Sequence, residues 1–284
     1  MSKLFSCALS ISLLLILSFA ATAEPDKNSQ KLDAILAAQP DNVKARFQFR
    51  HPKETLLFFG IKPGMTVIEA LPGSGWYTKI LLPYLGPRGW LIETDYPVDM
   101  WTKFDWASPE FIEGRRKWPG TWPVETQNWK IADAAKVSAY TFKTLPEDLS
   151  NKVDAVLFIR ALHNLLRFES DGGYFTNALR ETYRVLKPGG VVGVVQHSAM
   201  ANDLDGSTGY LEHDSLIKRF QALGFKFISE SNINANPKDK ADGIVWRLPP
   251  TLATSKNDED MRKNYMAIGE SNRMTLKFIK PAGN

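Results

Sequence analysis

Cysteine is almost absent from this 284-residue chain: Cys7 is the only one, so the sequence beyond it has no disulfide, thiolate metal site or cysteine nucleophile. An excess of charge of one sign is missing too. Lys and Arg number 35 against 31 Asp and Glu, a net +4 scattered without a basic stripe, which argues against nucleic acid as a partner. The one long apolar run, Ala8 to Ala20, is shorter than the roughly 20 residues a spanning helix needs. Lys3 precedes it and Ala21-Thr22-Ala23 follows, which reads as a Sec-type signal peptide cleaved after Ala23. No twin-arginine pair is present, and Cys7 stands before the apolar core rather than where a lipoprotein acceptor belongs. The expectation is a periplasmic or secreted protein of residues 24–284 with no stable membrane anchor after cleavage, long enough for one large α/β domain and too short for two.

Two phosphate-cradling patterns are also lacking. Neither G-x-G-x-x-G nor G-x-x-x-x-G-K-[ST] occurs around the one glycine turn that resembles them, Val67-Ile68-Glu69-Ala70-Leu71-Pro72-Gly73-Ser74-Gly75-Trp76-Tyr77-Thr78. That stretch reads as a buried strand, a tight turn and a helix start, with backbone N–H groups placed to meet an anionic group. It is no nucleophile elbow, because Pro72 and Trp76 occupy the glycine positions of G-x-S-x-G.

Further strands are expected at 90–95, 153–159 and 190–196, a weaker one near 137–143, and two more at 225–228 and 274–279. Helices are expected at 28–38, 52–59 (stopped by Gly60), 171–187 and 213–222. Asp95 closes the second strand about 20 residues past the glycine turn, where a doubly wound fold places a ribose-binding carboxylate, and it is favoured over Glu93 because it sits at the strand end. The run Arg184-Val185-Leu186-Lys187-Pro188-Gly189-Gly190 ends a helix and returns the chain to the sheet.

Together these segments resemble the class I S-adenosylmethionine (SAM) dependent methyltransferases over residues 45 to 200, with Leu71 replacing the first glycine of their motif I. Within that family the chain is similar to a group of exported predicted methyltransferases, through Pro72 to Thr78, Arg160 to Asn164 and Gly193 to His197. The resemblance implies a Rossmann-like, doubly wound, mostly parallel seven-stranded sheet with an antiparallel last strand and N-terminal helices. SAM is the implied cofactor. Gly73, Ser74 and Gly75 would face its methionine moiety, Glu69 would order the turn, and Asp95 would hold the ribose; the acid that grips adenine after the third strand is not evident near Lys143 to Pro146.

Two segments exceed the minimal fold, about 97–136 with Trp101, Trp106, Trp118, Trp122 and Trp129, and about 231–273. Both emerge on the ligand-binding rim, as a cap over the site or, for the tryptophans, as pins fixing a long loop to the core. His163 and His197 are each expected at the carboxyl end of a central strand, accompanied by Arg160 and Asn164, so these four are the candidate catalytic residues. His163 is the preferred base. The histidines have no close ligand spacing and no carboxylate third ligand, so a metal is not expected. The leading expectation is a SAM-dependent methyltransferase of small molecules; the alternatives are a non-catalytic metabolite-binding protein on the same fold, or a non-methylating enzyme using both histidines. Intact-mass measurement of protein recovered outside the cytoplasm should give a chain starting at Glu24, and a form retaining Met1 to Ala23 would contradict the signal assignment.

Overall fold

The computed structural model describes residues 26–199 and 205–283, so the expected signal peptide and its cleavage site lie outside the described residues. Among the described residues eight strands form: β1 Thr66–Ala70, β2 Trp90–Asp95, β3 Lys136–Thr141, β4 Val153–Ile159, β5 Leu186–Ala199, β6 Leu211–Glu212, β7 Lys226–Ser231 and β8 Arg273–Ile279. Seven run in the order β3-β2-β1-β4-β5-β8-β7, while the two-residue β6 pairs with the end of β5 off that path. β1 to β5 are mutually parallel, and β8 lies antiparallel between β5 and β7. This is the doubly wound, mostly parallel sheet expected from the sequence.

Near-continuous apolar runs make the central strands, because helices cover both faces of a parallel sheet and leave no solvent side. Val153, Ala155, Val156, Leu157 and Phe158 of β4 are all buried. On one face the helix Tyr174–Val185 buries Phe175, Ala178, Leu179, Thr182 and Val185, spaced as one helical stripe. On the other, the helix Pro52–Phe59 starts on Pro52 and stops at left-handed Gly60, as its sequence signals require.

Two expectations need correction. The helix read at 171–187 is shorter, since Gly173 interrupts its start and Leu186 already belongs to β5. There Val153 pairs with Leu186 and Ala155 with Val191, so Lys187 to Gly190 is extra chain looped out of the ladder. Nor is all of 97–136 an insertion. Residues Pro109–Asn128 form one helix on the path from β2 to β3, and parallel neighbours require a crossover of that kind. Gly114, Pro119, Gly120 and Pro123 lie inside it and weaken its helical signal, while Ser108 caps it by accepting from the Phe111 N–H at 3.2 Å. Its Trp118 and Trp122 pack on Ala139 of β3, so these two tryptophans cover the sheet.

Beneath the glycine turn, Glu69 and Glu93 stand side by side in the β1–β2 register, both buried. The Thr78 hydroxyl donates to Glu69 at 2.9 Å and ties the turn to the helix Thr78–Leu85. Burial pushes Glu69 up to about 7 against the opposing hydrogen bonds from Thr78 and Glu93; burial, then the neighbouring Glu69, pushes Glu93 well above the carboxylate range. Raised folded-state values mean that the native state holds protons the unfolded chain has lost, so stability is full below about 4.5 and falls as pH rises through 7. Glu93→Gln should remove part of this slope and stabilise the protein at pH 8 by on the order of 1–3 kcal/mol relative to wild type. Denaturant titrations at pH 5 and pH 8 measure it, and an unchanged pH slope would contradict a raised Glu93 carboxyl.

Candidate active site

Strand order reverses between β1 and β4, and in sheets of this kind ligands bind in the crevice beyond the carboxyl ends of those strands. The residue following each strand is left-handed: Leu71 at φ 53° after β1 and Arg160 at φ 61° one position past Ile159 of β4. Leu71 N–H donates to Thr94 O and Arg160 N–H to Val195 O, both at 2.7 Å, which fixes the two turns. A left-handed side-chain-bearing residue costs roughly 1–2 kcal/mol, which is the physical reason glycine is the usual choice where Leu71 stands. The turns flank a cavity of about 390 Å³, within the range of small-ligand sites.

Of the five expected cofactor residues, Gly73 and Asp95 border this cavity, while Glu69, Ser74 and Gly75 do not. Gly73 has φ +61° and open space where a side chain would be. Gly75 has the positive φ of the expected tight turn, +78°, and an added Cβ there would run into the Trp129 ring, so its close neighbour is a tryptophan. Ser74 is exposed, and Glu69 acts from below through Thr78.

Asp95 sits at the end of β2 as expected, only 2 % exposed, but its carboxylate is engaged. It accepts from Arg115 Nε at 2.7 Å and also from Arg115 Nη2, from the Trp101 indole at 3.2 Å and from the Tyr96 N–H at 2.7 Å. Burial raises the Asp95 carboxyl, opposed chiefly by Arg115. Arg115 comes from the crossover helix and lies against the faces of Trp101 and Trp118, so that helix closes the Asp95 end of the crevice. Tyr96 adds a strut from β2 to the far side of the crevice, its hydroxyl donating to Ala161 O at 2.8 Å.

All four candidate catalytic residues border the cavity, and the His163 and His197 rings are 5.5 Å apart. His163 belongs to the first turn of a short helix, Leu162–Arg167, rather than to the strand end. Gln196 Nε2 donates to Gly209 O at 3.0 Å and approaches His163 Nδ1 at 3.4 Å, so Nδ1 accepts and the His163 proton sits on Nε2. In that tautomer Nδ1 is engaged and Nε2 carries the proton, so neither nitrogen is free to act as the expected base. His197 Nδ1 is 2.6 Å from the Ser271 hydroxyl, and in the tautomer where Nδ1–H donates to that hydroxyl Nε2 is able to take a proton. Burial pulls His163 down to about 4, aided by Arg160 against Gln196; burial, then His163 and Arg160, pulls His197 well below its usual value. Both imidazoles are neutral near pH 7.

The sequence reading missed Arg115, Trp246, Glu270 and Ser271, which complete the walls of the cavity from the crossover helix and the segment before β8. Glu270 accepts from Arg46 at 2.7 Å, Arg50 at 3.4 Å and Arg273 at 3.0 Å. Burial would raise it, but Arg50, Arg273, Arg160 and Arg46 together hold it below the ordinary carboxylate range. No local motif marks these residues, because the groups that pair lie up to 224 positions apart.

Among solved structures, a SAM-dependent methyltransferase from Aquifex aeolicus is 14 % identical and matches over 85 % of this chain and 98 % of its own, with a TM-score of 0.51. The [4+2]-cyclase SpnF is 16 % identical over 82 % of this chain and 81 % of its own, also at 0.51. The chain has the class I methyltransferase fold. No protein-family model matches it, and no curated protein matches its sequence. At these identities the likeness is one of fold, and the two neighbours' descriptions name different chemistries.

Arg115→Ala should leave the buried Asp95 carboxylate without its cation and destabilise the protein by about 1–3 kcal/mol. A double-mutant cycle with Asp95→Asn measures the coupling, and additive effects would show that the pair contributes nothing.

Proposed function

We propose that this protein is an exported, SAM-dependent methyltransferase of a small molecule, its residues 24–284 forming one domain. One observation carries the reading: on a class I methyltransferase fold, Gly73 after β1 and Asp95 ending β2 border the same cavity as His163 and His197. The residues fit the cofactor in type and position. The open backbone at Gly73 would take the methionine end, and Asp95 would receive the ribose hydroxyls once Arg115 gives way. SAM, when bound, supplies a methyl group activated by its sulfonium.

The chain supplies the rest. His197, neutral and positioned by Ser271, would take a proton from the acceptor, while His163 Nε2–H and Arg160 would orient it; alignment inside a partly closed cavity accounts for much of the rate. A second reading, a non-catalytic metabolite-binding protein, is favoured by the Asp95–Arg115 pair, which already occupies the ribose carboxylate.

Calorimetry with SAM and S-adenosylhomocysteine separates the two. Under the proposal both ligands bind, Asp95→Ala weakens them by about 1 kcal/mol or more, and Arg115→Ala tightens them by freeing the carboxylate. His197→Ala should lower turnover by about 100-fold while leaving cofactor affinity nearly intact. No heat at millimolar SAM would leave the binding-protein reading standing.

A further inference from the structure

Arg160 is the one arginine bordering the cavity that makes no hydrogen bond through its guanidinium among the described residues. Its Nε is buried and unpartnered, and on the next helix Asn164 Oδ1 is likewise buried without a partner. Geometry holds Arg160 there: its backbone is pinned in the left-handed region by the bond to Val195, at the strand end where the sheet order reverses. Left-handed strain in a residue of this size persists only where the surroundings impose it, and it concentrates at ligand sites.

Charge around the cavity is unbalanced. Asp95 is matched by Arg115, and Glu270 accepts from Arg46, Arg50 and Arg273 and reaches Arg160 only through space, so among the described residues no carboxylate bonds to Arg160 and these groups carry three surplus positive charges. Glu69 and Glu93 do not help, because their raised values keep the pair at least partly protonated and they lie outside the cavity. Burial, then the proximity of Arg50, disfavours the Arg160 charge. A guanidinium nevertheless keeps its proton at neutral pH, so the penalty can be relieved only by bringing in an anion. The neighbouring imidazoles are neutral, adding hydrogen-bonding groups without adding repulsion for an oxyanion's partners.

We propose that Arg160 anchors an anionic oxygen group, a carboxylate or phosphate, of the acceptor that this cleft takes beside its cofactor. The planar fork of a guanidinium matches the paired oxygens of either group, and position, charge and the lack of a bonded acid among the described residues all favour it. The inference rests on the methyltransferase reading for the cofactor, which itself carries a carboxylate. The shared chemistry therefore has two possible sources, and the experiment must part them.

Thermal unfolding of the purified protein saturated with S-adenosylhomocysteine, titrated with inorganic phosphate or acetate at constant ionic strength, tests this. At least one anion should raise the melting temperature saturably. Arg160→Gln should weaken that effect about tenfold or more, Arg160→Lys should retain part of it, and both variants should melt no lower than wild type without the anion, since a partly buried cation without a bonded acid has been removed or kept. S-adenosylhomocysteine and 5′-methylthioadenosine, which lacks the carboxylate, should bind Arg160→Gln as they bind wild type. Failure of both anions to bind the saturated wild type, or undiminished binding to Arg160→Gln, would overturn the proposal. So would an Arg160→Gln protein that loses S-adenosylhomocysteine but keeps 5′-methylthioadenosine, because Arg160 would then hold the cofactor. If S-adenosylhomocysteine does not bind wild type while an anion binds through Arg160, the cofactor reading fails and the anion site stands.

Discussion

A single buried carboxylate, Glu270, organises the site. It draws Arg46 and Arg50 from the N-terminal helices and Arg273 from the start of β8, closing contacts across up to 224 positions. Arg50 lies 4.5 Å over the Trp76 ring, and Arg273 donates to the Phe49 carbonyl, so the same pairings back the glycine turn and seat the N-terminal segment. Breaking a buried pairing by removing one partner costs far more than the pairing contributes against an apolar replacement. Glu270 thus fixes an arrangement that loss of any one member would destabilise. Its hydrogen bonds go to these three arginines, and Arg160 feels it only through space.

The second constraint is the engagement of Asp95 by Arg115. A strand-end carboxylate is what this fold offers to a ribose, yet here the crossover helix reaches over and claims it, with Trp101 on the same oxygen. The closure is built from side chains rather than main chain, so it can open by a rotamer change in Arg115, which is partly exposed. Opposite it, Trp246 packs edge-on against His163 at 5.9 Å and Ser271 holds His197, so the cavity is walled by both long connections. Conditions inside such a cavity strengthen polar interactions with a ligand and penalise unpaired charge.

Much of the fold was legible in the sequence because its signals are local. Val67 to Ala70 and Val153 to Ile159 are apolar runs of strand length, Gly60 is a helix stop, and the Leu186 to Gly190 run announces the return to the sheet. The helix Pro109–Asn128 was not legible: two prolines and two glycines inside it lower its intrinsic preference, and packing of Trp118 and Trp122 on β3 overrides that. For the site, strand-end logic placed Asp95, His163, His197 and Arg160 together, since parallel strands deliver their carboxyl ends to one rim. It could not supply Arg115, Glu270 or Ser271, whose roles arise from long-range pairing, nor the His163 tautomer, which depends on where Gln196 and Gly209 meet.

Under the proposed function, the crevice between β1 and β4 holds the cofactor once Arg115 releases Asp95. A crystal structure of the protein grown with S-adenosylhomocysteine tests this most directly. The predicted result is ribose hydroxyls on the Asp95 carboxylate, the methionine end at Gly73, and Arg115 swung away. An Arg115–Asp95 pair left intact, with the ligand absent from the crevice or bound elsewhere, would contradict it.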